Sequence, residues 1–549
     1  MNGGKLMKKL HSHTRSIEDK CYEIWRSPGR FTKNPDIVIT KQGRLLLVYS
    51  DNDRHWSQEM QILTILASDD EGKTWFKLSE AGRADLRAGD ERLVTPRLSC
   101  LSDGRLAVLI DHDDYGHFHE EQPCGNWIYW SHDGGLTWSE PQTTEIPGFE
   151  PDRIVELPDG RLAVVSQMMR AQSQAFSLVF TTSDDGGKTW KTQSTVAHDA
   201  YHIHCEGGLI LLDGGKEFAV VTRENQNGGQ PSFVCFSRDG GYTWTAPQML
   251  PFHLHRPYGK QLPDGRVLVT GRNLLGGVGT YAWCGDLKAE AGYYEIGGPL
   301  GEYNAYFQDG AFAIENGPEW DCRYSLLPPE NSKSTIVFEA ELRVEGTDGV
   351  PSAFLSINGL STEAVLSIAP DCVSLSDMWG NNKNADSMKK ADMRNYQKLS
   401  LKLCRGILSV EVNGKTLINK MVLNAGYTSR GDAYGAWIGG RTQFGQMGET
   451  GKSFWKSVNY RAVNPTKPDA VFRWDAALGQ YPDKYQRERL TLIHANVHPK
   501  NKESRWPDHG YSSWLTLPSG EIVFVDYTTV HDEGEQGHLV GTRFSPEDV

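Results

Sequence analysis

The sequence predicts an all-β protein, a six-bladed β-propeller with a β-sandwich inserted between blades 5 and 6. Three observations predict this fold: a strand–turn–strand phrase that occurs six times, a break of about 250 residues after the fifth copy, and alternating polar and apolar residues inside that break. The chain has 549 residues. Because single domains usually contain about 100 to 150 residues, a repeat array or several domains is expected.

The repeated motif consists of an apolar run, a tight turn that contains glycine, and a second apolar run. Asp-Gly between two runs of β-forming residues is a strong hairpin signal, so each copy predicts two antiparallel strands. The turn glycines are Gly43, Gly104, Gly160, Gly214, Gly265 and Gly520. The first five lie about 50 to 60 residues apart, a period suited to a four-stranded blade.

The interval between the fifth and sixth copies is long enough for a domain of its own. Polar and apolar residues alternate, as in strands with one buried face, over 335–344, 353–357, 396–403, 406–412 and 433–438. This pattern resembles a laminin-G or concanavalin-like jelly roll, which implies sugar binding, a share in the rim of the site, or packing alone. We predict blades 1–5 over 22–297, the insert over 298–463, and the closing blade over 464–549.

Composition and charge exclude several classes of protein. With 38% hydrophobic and 10% aromatic residues, the chain is too apolar for disorder. A net charge of −13 disfavours binding to nucleic acid or anionic lipid. There is no apolar run of about 18 residues and no signal-peptide core, so neither membrane insertion nor ordinary export is expected.

The nine cysteines contain no C-x-x-C pair. We interpret them as reduced thiols in a cytoplasmic protein. Neither a metal nor a cofactor is expected, and the oligomeric state is left open.

Four segments match the pattern S-x-D-x-G-x-T-W at every position: 68–75, 131–138, 183–190 and 237–244. In such a turn the aspartate can accept hydrogen bonds from loop amides, the glycine permits a positive φ, and the tryptophan supplies apolar area. The aspartates are therefore expected to be structural rather than catalytic or metal-binding: Asp70, Asp133, Asp185 and Asp239.

With these Asp boxes at the blade period, the chain resembles the sialidase superfamily, the Asp-box (BNR-repeat) proteins with a six-bladed propeller. Some members carry a lectin-like domain between blades. The resemblance covers about residues 30–287 and 481–544. It implies a glycoside hydrolase, although a fold alone does not establish an activity.

The innermost strands of a propeller converge on its axis, so residues near the start of each copy, and just after its second run, can share one pocket. These positions are rich in arginine and carboxylates. They are Asn34, Asp36, Asp51, Asp53, Arg97, Asp111, His112, Asp152, Arg153, His204, Glu206, Arg223, His255, Arg256, Arg272 and Tyr511.

The resemblance assigns roles to some of these residues. The segment His509-Gly510-Tyr511 looks like the sialidase segment whose tyrosine is the nucleophile. The segments around Glu206 and Arg223 are similar to those that supply the base for that tyrosine and an arginine that clamps the substrate carboxylate. A phenol has an ordinary pKa of about 10, so it needs a nearby base. A neutral phenol suits an anionic substrate, because a carboxylate nucleophile would be repelled.

The chain also departs from the family. Sialidases begin their first blade with Arg-Ile-Pro, whose arginine starts a three-arginine clamp, whereas this chain has Lys33-Asn34-Pro35. No aspartate clearly matches the family's acid/base residue; Asp53 is the first choice and Asp51 the second.

Arg256 is the best-placed further clamp residue, and Arg97 could compensate from another blade. The predicted substrate-binding set is completed by Arg153, His204 and His255. Each residue also has a structural interpretation: Tyr511 as a core aromatic, Glu206 as an ion-pair partner, and the arginines as supports for loops.

These assignments predict a carbohydrate-active enzyme, a retaining exo-glycosidase that releases a terminal acidic sugar. Tyr511 attacks, Glu206 takes its proton, Asp53 protonates the leaving oxygen, and Arg223 and Arg256 hold the acid group. One alternative is a uronate-directed lyase or rhamnosidase on the same fold, favoured by the supply of histidines: His112, His117, His204 and His255. The other is a glycan-binding protein without catalysis.

Overall fold

Strands make up almost all of the regular structure, as the sequence predicts. The computed structural model describes residues 15–113, 125–170, 175–198, 202–225, 231–273, 279–298, 304–316, 321–327, 329–359, 362–376, 388–423, 442–447, 450–496, 508–529 and 536–549. Among these residues, no helix has the length and apolar character needed to cross a membrane.

The described residues of the first part of the chain form twenty-one strands and one short α-helix. They are β1 (Arg15–Ser16), β2 (Cys21–Trp25), β3 (Phe31–Ile39), β4 (Leu45–Asn52), β5 (Met60–Ser68), β6 (Phe76–Asp85), β7 (Arg92–Cys100), β8 (Leu106–Asp113), β9 (Trp127–Ser131), β10 (Gln142–Thr143), β11 (Val155–Glu156), β12 (Leu162–Arg170), β13 (Ala175–Ser183), β14 (Lys191–His198), β15 (His204–Leu212), β16 (Glu217–Glu224), β17 (Phe233–Ser237), β18 (Gln248–Met249), β19 (His255–Gln261), β20 (Val267–Asn273), β21 (Gly279–Gly285) and α1 (Leu287–Glu290).

The remaining elements follow in the same order. They are β22 (Ala305–Gln308), β23 (Ala311–Asn316), β24 (Asp321–Ser325), β25 (Thr335–Glu345), β26 (Ala353–Asn358), β27 (Glu363–Ile368), β28 (Cys372–Ser376), β29 (Met388–Lys390), β30 (Gln397–Cys404), β31 (Ile407–Val412), β32 (Lys415–Val422), β33 (Gln443–Met447), β34 (Gly451–Val463), β35 (Ala470–Asp475), α2 (Lys484–Arg489), β36 (Leu490–Ala495), β37 (Ser513–Thr516), β38 (Ile522–Thr528) and β39 (His538–Phe544). The 3₁₀ helices within the described ranges span Glu18–Lys20, Asp213–Gly215, Ala476–Leu478 and Pro546–Asp548.

Six sheets are built from the strands on either side of the central region. Four of them contain consecutive strands, β3 to β6, β7 to β10, β11 to β14 and β15 to β18. The fifth sheet has the order β1-β36-β21-β20-β19, and the sixth has the order β2-β39-β38-β37. Both ends of the described chain are therefore paired into sheets.

This order corrects the predicted point of insertion. The fifth sheet takes β21 from before the central region and β36 from after it, and these two strands pair directly. The interruption thus lies inside the fifth sheet, not between the fifth and sixth. Counting Asp-Gly turns could not show this, because β36 is not part of such a hairpin.

Buried apolar clusters join each sheet to the next, and the sixth sheet to the first. Burial of side chains of this size contributes about 1.5–3 kcal/mol each. Representative members, from successive sheets, are Val48 with Leu98, Leu109 with Val164, Val165 with Val220, Ile210 with Val269, Leu268 with Phe524, and Val525 with Leu47.

The central region forms two larger sheets. One has the order β22-β23-β34-β25-β30-β31-β32, with β35 paired to β34, and the other has the order β24-β33-β26-β27-β28-β29. Both contribute to one buried cluster, for example through Phe338 and Trp455 of the first and Leu355 of the second. Strand β35 extends this region to Asp475, beyond the predicted boundary at 463. The predicted strand at 433–438 lies outside the described residues.

Candidate functional site

Six residues with left-handed backbone occupy the same place in the six sheets. Each lies in, or just before, the strand that begins its sheet's hairpin: β3, β7, β11, β15, β19 and β37. They are Asn34 (φ 54°), Thr95 (50°), Glu150 (45°), Glu206 (48°), Arg256 (50°) and Tyr511 (59°). A non-glycine residue in this region costs about 1–3 kcal/mol, and such residues concentrate at functional sites.

A β-bulge accompanies the left-handed residue. In β15, Cys205 pairs with Arg223 and Gly208 pairs with Val221, so two residues lie opposite one. The same shift occurs in β3, β7 and β19. Since a bulge redirects a side chain away from the regular alternation of the sheet, it can aim residues of separate sheets at a common point.

Hydrogen bonds between sheets hold these strand ends together. The Asp36 carboxylate accepts from the backbone N–H of Leu98 in the next sheet at 2.8 Å. The Asp152 carboxylate accepts from the N–H of Leu209 at 2.9 Å. Asp36 and Asp152, two of the residues predicted to share the pocket, thus link neighbouring sheets.

Tyr511 and two glutamates form the centre of the site. The Tyr511 Oη donates to Glu206 Oε1 at 2.6 Å and lies 3.0 Å from Glu150 Oε1. Glu206 is 2% exposed, whereas Tyr511 is only half-buried. The Tyr511 side chain therefore keeps part of its surface exposed, whereas the Glu206 carboxylate is shielded from water.

Two predicted clamp arginines contact this centre. Arg223 Nη1 lies 2.9 Å from both carboxylate oxygens of Glu206. Arg256 places its Cζ 5.3 Å from the centroid of the Tyr511 ring, and it donates to the backbone carbonyls of Glu150 and Pro151 at 3.3 and 3.1 Å. Both guanidinium groups therefore have protein partners as well as a position beside the phenol.

Arg97 differs from these two arginines. It is 2% exposed, and its Cζ lies 5.9 Å from the centroid of the Tyr511 ring. Among the described residues its side chain makes no hydrogen bond, and its Nε is buried without an acceptor. Burial, with the nearby charge of Arg256, lowers the pKa of Arg97 to about 10, so it remains a cation at neutral pH.

The three acidic groups of the centre have different proton affinities. Burial raises the pKa of the Tyr511 phenol well above its ordinary value, and the charges of Glu150 and Glu206 raise it further. Burial also raises the pKa of Glu150, and the charge of Glu206 adds to this. For Glu206, burial acts in the same direction, but Arg223 and then Arg256 outweigh it and lower the pKa. Glu206 is thus the ionised acceptor of a neutral phenol.

The two predicted proton donors, Asp53 and Asp51, both have carboxylates that already accept hydrogen bonds from the protein. The Asp53 carboxylate accepts from the backbone N–H of Gln58 at 3.0 Å, from Arg54 Nε at 2.8 Å, and from Ser57. Although burial opposes it, this set of hydrogen bonds lowers the pKa of Asp53 to about 2. An acid with so low a pKa carries no proton at neutral pH.

Asp51 is engaged in a similar way. Its two carboxylate oxygens accept from Arg30 Nε at 2.6 Å and from Ser27 Oγ at 2.9 Å. The geometry therefore does not favour either aspartate as the proton donor.

The other predicted binding residues have structural partners. Arg153 is ion-paired with Asp36 and donates to Ser513 Oγ at 2.8 Å. His204 is fully buried against Phe233, with Nδ1 at 3.2 Å from Thr222 Oγ1.

His255 is half-buried and begins β19 beside Arg256. His112 stacks on Trp127 and uses both ring nitrogens, Nδ1 with Glu91 and Nε2 with the Gly125 carbonyl at 2.6 Å. His117 lies outside the described residues.

Sequence patterns did not predict a role for Glu150, which contacts Tyr511, or for Lys33, His55 and Asp508. Glu150 could have been found from the prolines that follow four of the left-handed residues: Pro35, Pro96, Pro151 and Pro257. Lys33 is 5% exposed, and its Nζ donates to the His55 carbonyl at 2.7 Å. No comparable local signal marks His55 or Asp508.

The Asp-box aspartates lie in turns of their own hairpins. Asp70, for example, accepts from Ser68 Oγ at 2.8 Å, from the Thr74 N–H at 2.9 Å and from Thr74 Oγ1 at 2.6 Å. Within the described ranges, no three His, Cys, Asp or Glu side chains are grouped as metal ligands would be.

Comparison with family models identifies one domain in the chain. Residues 116–271 match the family model described as a BNR repeat-like domain. The chain therefore carries this domain, and the predicted BNR repeats are confirmed over these residues. None of the curated proteins matches the sequence.

Several solved structures are similar to the chain. A protein of unknown function from Dyadobacter fermentans has a TM-score of 0.47 and 14% identity, over 96% of this chain and 98% of that one. Trypanosoma rangeli sialidase in complex with the inhibitor DANA has a TM-score of 0.37 and 11% identity, over 82% and 96%. The Hadza microbial sialidase Hz136 has a TM-score of 0.38 and 18% identity, over 53% and 63%.

Proposed function

We propose that this protein is a retaining glycoside hydrolase that releases a terminal acidic sugar from a glycan, with Tyr511 as the nucleophile. One observation carries the proposal: the Tyr511 Oη donates to Glu206 Oε1 at 2.6 Å, beside a cluster of arginines. A phenol with an ordinary pKa of about 10 becomes nucleophilic when a base removes its proton during attack. Glu206 is ionised and in hydrogen-bond contact, which suits that task.

In the first step, the Tyr511 oxygen forms a bond to the anomeric carbon while its proton passes to Glu206. The bond from that carbon to the leaving oxygen breaks, and its electron pair stays on the oxygen. Water then displaces Tyr511, so the two substitutions give net retention. A positioned base of this kind typically contributes about 10²- to 10⁴-fold in rate.

The charges around Tyr511 support an acidic sugar. Arg97 and Arg256 place guanidinium groups within 6 Å of the phenol ring. A guanidinium can bind a carboxylate through two parallel hydrogen bonds. Among the described residues the Arg97 guanidinium makes no hydrogen bond. We therefore assign to Arg97 the first contact with the substrate's acid group. Arg223 and Arg256 add positive charge behind it.

We further propose that the six sheets are the blades of a propeller whose axis runs through the left-handed residues. The packing of the sixth sheet against the first supports this arrangement. In this proposal the two central sheets form a sandwich inserted within the fifth blade. Its domain extends to Asp475, since β35 pairs with β34.

The test is the variant Tyr511→Phe, assayed on 4-methylumbelliferyl glycosides of sialic acid, uronic acids and neutral sugars. We expect the wild type to act on an acidic glycoside and Tyr511→Phe to lose at least about 10³-fold in kcat/KM, because the attacking oxygen is gone. The matched control Tyr242→Phe removes an exposed phenol of an Asp box and should leave the rate unchanged.

The products also distinguish the alternatives. Proton NMR at early times should show the sugar released with retained anomeric configuration. An inverted sugar, or full activity of Tyr511→Phe, would refute the mechanism. An unsaturated, ultraviolet-absorbing product would indicate elimination, and binding without turnover would indicate a glycan-binding protein.

A further inference from the structure

His55 and Asp508 form a hydrogen-bonded pair, and neither residue takes part in the steps proposed above for Tyr511 and Glu206. His55 Nδ1 contacts Asp508 Oδ2, although the residues are 453 positions apart in the chain. The second carboxylate oxygen of Asp508 accepts from Tyr527 Oη at 2.8 Å. Asp508 is thus fixed on both sides, and it orients the imidazole through Nδ1.

The other ring nitrogen of His55 remains available. Across the described ranges, Nε2 makes no hydrogen bond, and 37% of the His55 side chain is exposed. The ring makes T-shaped contacts with Phe31 and Trp56, with centroids at 5.8 and 4.9 Å. A ligand can therefore reach Nε2 while the ring is held by its neighbours.

Lys33 connects this pair to the Tyr511 centre. Its Nζ donates to the His55 carbonyl at 2.7 Å. The same ammonium interacts electrostatically with both Asp508 and Glu150. Lys33 thus interacts both with the carboxylate that is paired with His55 and with the glutamate that contacts Tyr511.

Arg272 gives a second connection. Its Nη1 donates to the His509 carbonyl at 3.3 Å, and its charge acts on both Asp508 and Glu206. Asp508 also precedes Tyr511 by only three positions in the sequence. Arg272 and the short segment from Asp508 to Tyr511 therefore connect the imidazole pair with the phenol.

We propose that His55 is the general acid and base of the reaction and that Asp508 is its positioning residue. This inference rests on the proposed function, and it supplies the proton donor that Asp53 and Asp51 do not. Asp53 uses its carboxylate within its own loop, and the Asp51 carboxylate is held by Arg30 and Ser27. His55 has an orienting partner and a free, reachable nitrogen.

Every proton is accounted for over the two steps, formation and hydrolysis of the glycosyl-enzyme. In the first step, His55 begins as imidazolium and gives its Nε2 proton to the leaving oxygen as the glycosidic bond breaks. In the second, neutral His55 takes a proton from the attacking water, and the bond between Tyr511 and the sugar breaks. Tyr511 recovers its proton from Glu206, so the net reaction consumes one water.

The charges around His55 fit this cycle. Burial tends to raise the pKa of Asp508, but the hydrogen bond and charge of His55, followed by Arg272 and Tyr527, hold that pKa well below its ordinary value. Asp508 thus stays ionised and stabilises an imidazolium.

The test compares His55→Gln with the wild type on glycosides of one acidic sugar whose leaving groups range from 4-nitrophenol to methanol. 4-Nitrophenolate is a good leaving group and departs without being protonated, whereas methoxide is a poor one and needs a proton from a general acid. We expect His55→Gln to lose about 10²- to 10⁴-fold in kcat/KM on the methyl glycoside, and less than about tenfold on the 4-nitrophenyl glycoside. His132→Gln, at an exposed turn, is the matched control.

Asp508→Asn tests the positioning role. This variant keeps the shape of the side chain but removes its charge, so the imidazolium loses stabilisation. We expect the alkaline limb of the kcat/KM profile to move to lower pH. His55→Gln should lack this limb. Circular dichroism and thermal unfolding identify any variant that fails to fold.

The outcomes separate this inference from the proposed function. An active wild type whose activity falls equally on all leaving groups in His55→Gln would overturn the acid role and leave the function of Tyr511 intact. An unshifted alkaline limb in Asp508→Asn would overturn the positioning role. A wild type without any glycosidase activity would refute the proposed function and this inference together.

Discussion

The phenol of Tyr511 and the carboxylate of Glu206 meet at 2.6 Å although they are separated by 305 positions in the chain. Each residue has left-handed backbone, with φ of 59° and 48°. The site is thus built by repeating one local distortion in separate sheets, and the side chains at these positions determine its chemistry.

The two glutamates should contribute unequally to catalysis. Both contact Tyr511, but two adjacent carboxylates do not ionise independently. Because Arg223 lies against Glu206, we expect Glu206→Gln to lose about 10²- to 10⁴-fold in kcat/KM. Glu150→Gln should lose less than about tenfold, since the raised pKa of Glu150 favours its neutral carboxyl group, which an amide resembles. Steady-state kinetics of both variants check this, and the reverse order would contradict the assignment of the base.

Arg97 should determine the preference for an acidic sugar. Hydrogen bonds to charged groups contribute about 1.5–3 kcal/mol. We therefore expect Arg97→Met to lower kcat/KM about 10- to 100-fold on the acid substrate, with little effect on the corresponding methyl ester. Arg44→Met, which removes a surface ion pair with Asp69, is the control. An equal loss on acid and ester would show that Arg97 supports the fold instead.

Lys33 should make stability depend on pH in the alkaline range. Burial lowers the pKa of Lys33 from 10.5 to about 8. Between these values the unfolded chain holds a proton that the folded chain has released, so the free energy of unfolding rises with pH. Lys33→Met should remove this contribution. The difference in Tm between wild type and variant, measured from pH 7.5 to 10.5, should therefore change in favour of the wild type. A constant difference would contradict the lowered pKa.

The Asp boxes should affect stability without affecting turnover. Asp185 accepts hydrogen bonds from Ser183, Lys188 and Thr189 within its own turn. We expect Asp185→Ala to lower Tm by several degrees and to leave kcat/KM unchanged. Asp184→Ala, in the same turn, is the matched control and should have little effect on either. A large loss of activity in Asp185→Ala at a temperature where it is folded would contradict the structural role.

Local sequence signals predicted the hairpins but not every strand order. Asp103-Gly104 correctly marks the turn between β7 and β8, because positive φ at glycine is a local requirement. The place of β36 in the fifth sheet depends on a partner more than 200 positions earlier, and no turn motif encodes that pairing. The point of insertion was therefore predicted wrongly.

In the site, too, residues in recognisable local segments were predicted, whereas contacts between distant parts of the chain were not. Tyr511, Glu206 and Arg223 stand in recognisable segments, and the structure brings them together. Asp53 was selected by its place in the sequence, but hydrogen bonds within its loop, which sequence does not display, occupy its carboxylate. The pairing of His55 with Asp508 likewise depends on contact between distant parts of the chain.

The most direct test of the account is to trap the covalent intermediate on Tyr511. A 2-deoxy-2-fluoro or 3-fluoro acidic glycosyl fluoride, whichever places fluorine beside the anomeric carbon, should slow the second step and let the glycosyl-enzyme accumulate. Peptide mass spectrometry should then find one sugar attached to Tyr511, and none in Tyr511→Phe. A sugar on another residue, or turnover of ordinary substrate with no trapped intermediate, would contradict the assignment of Tyr511 as the nucleophile.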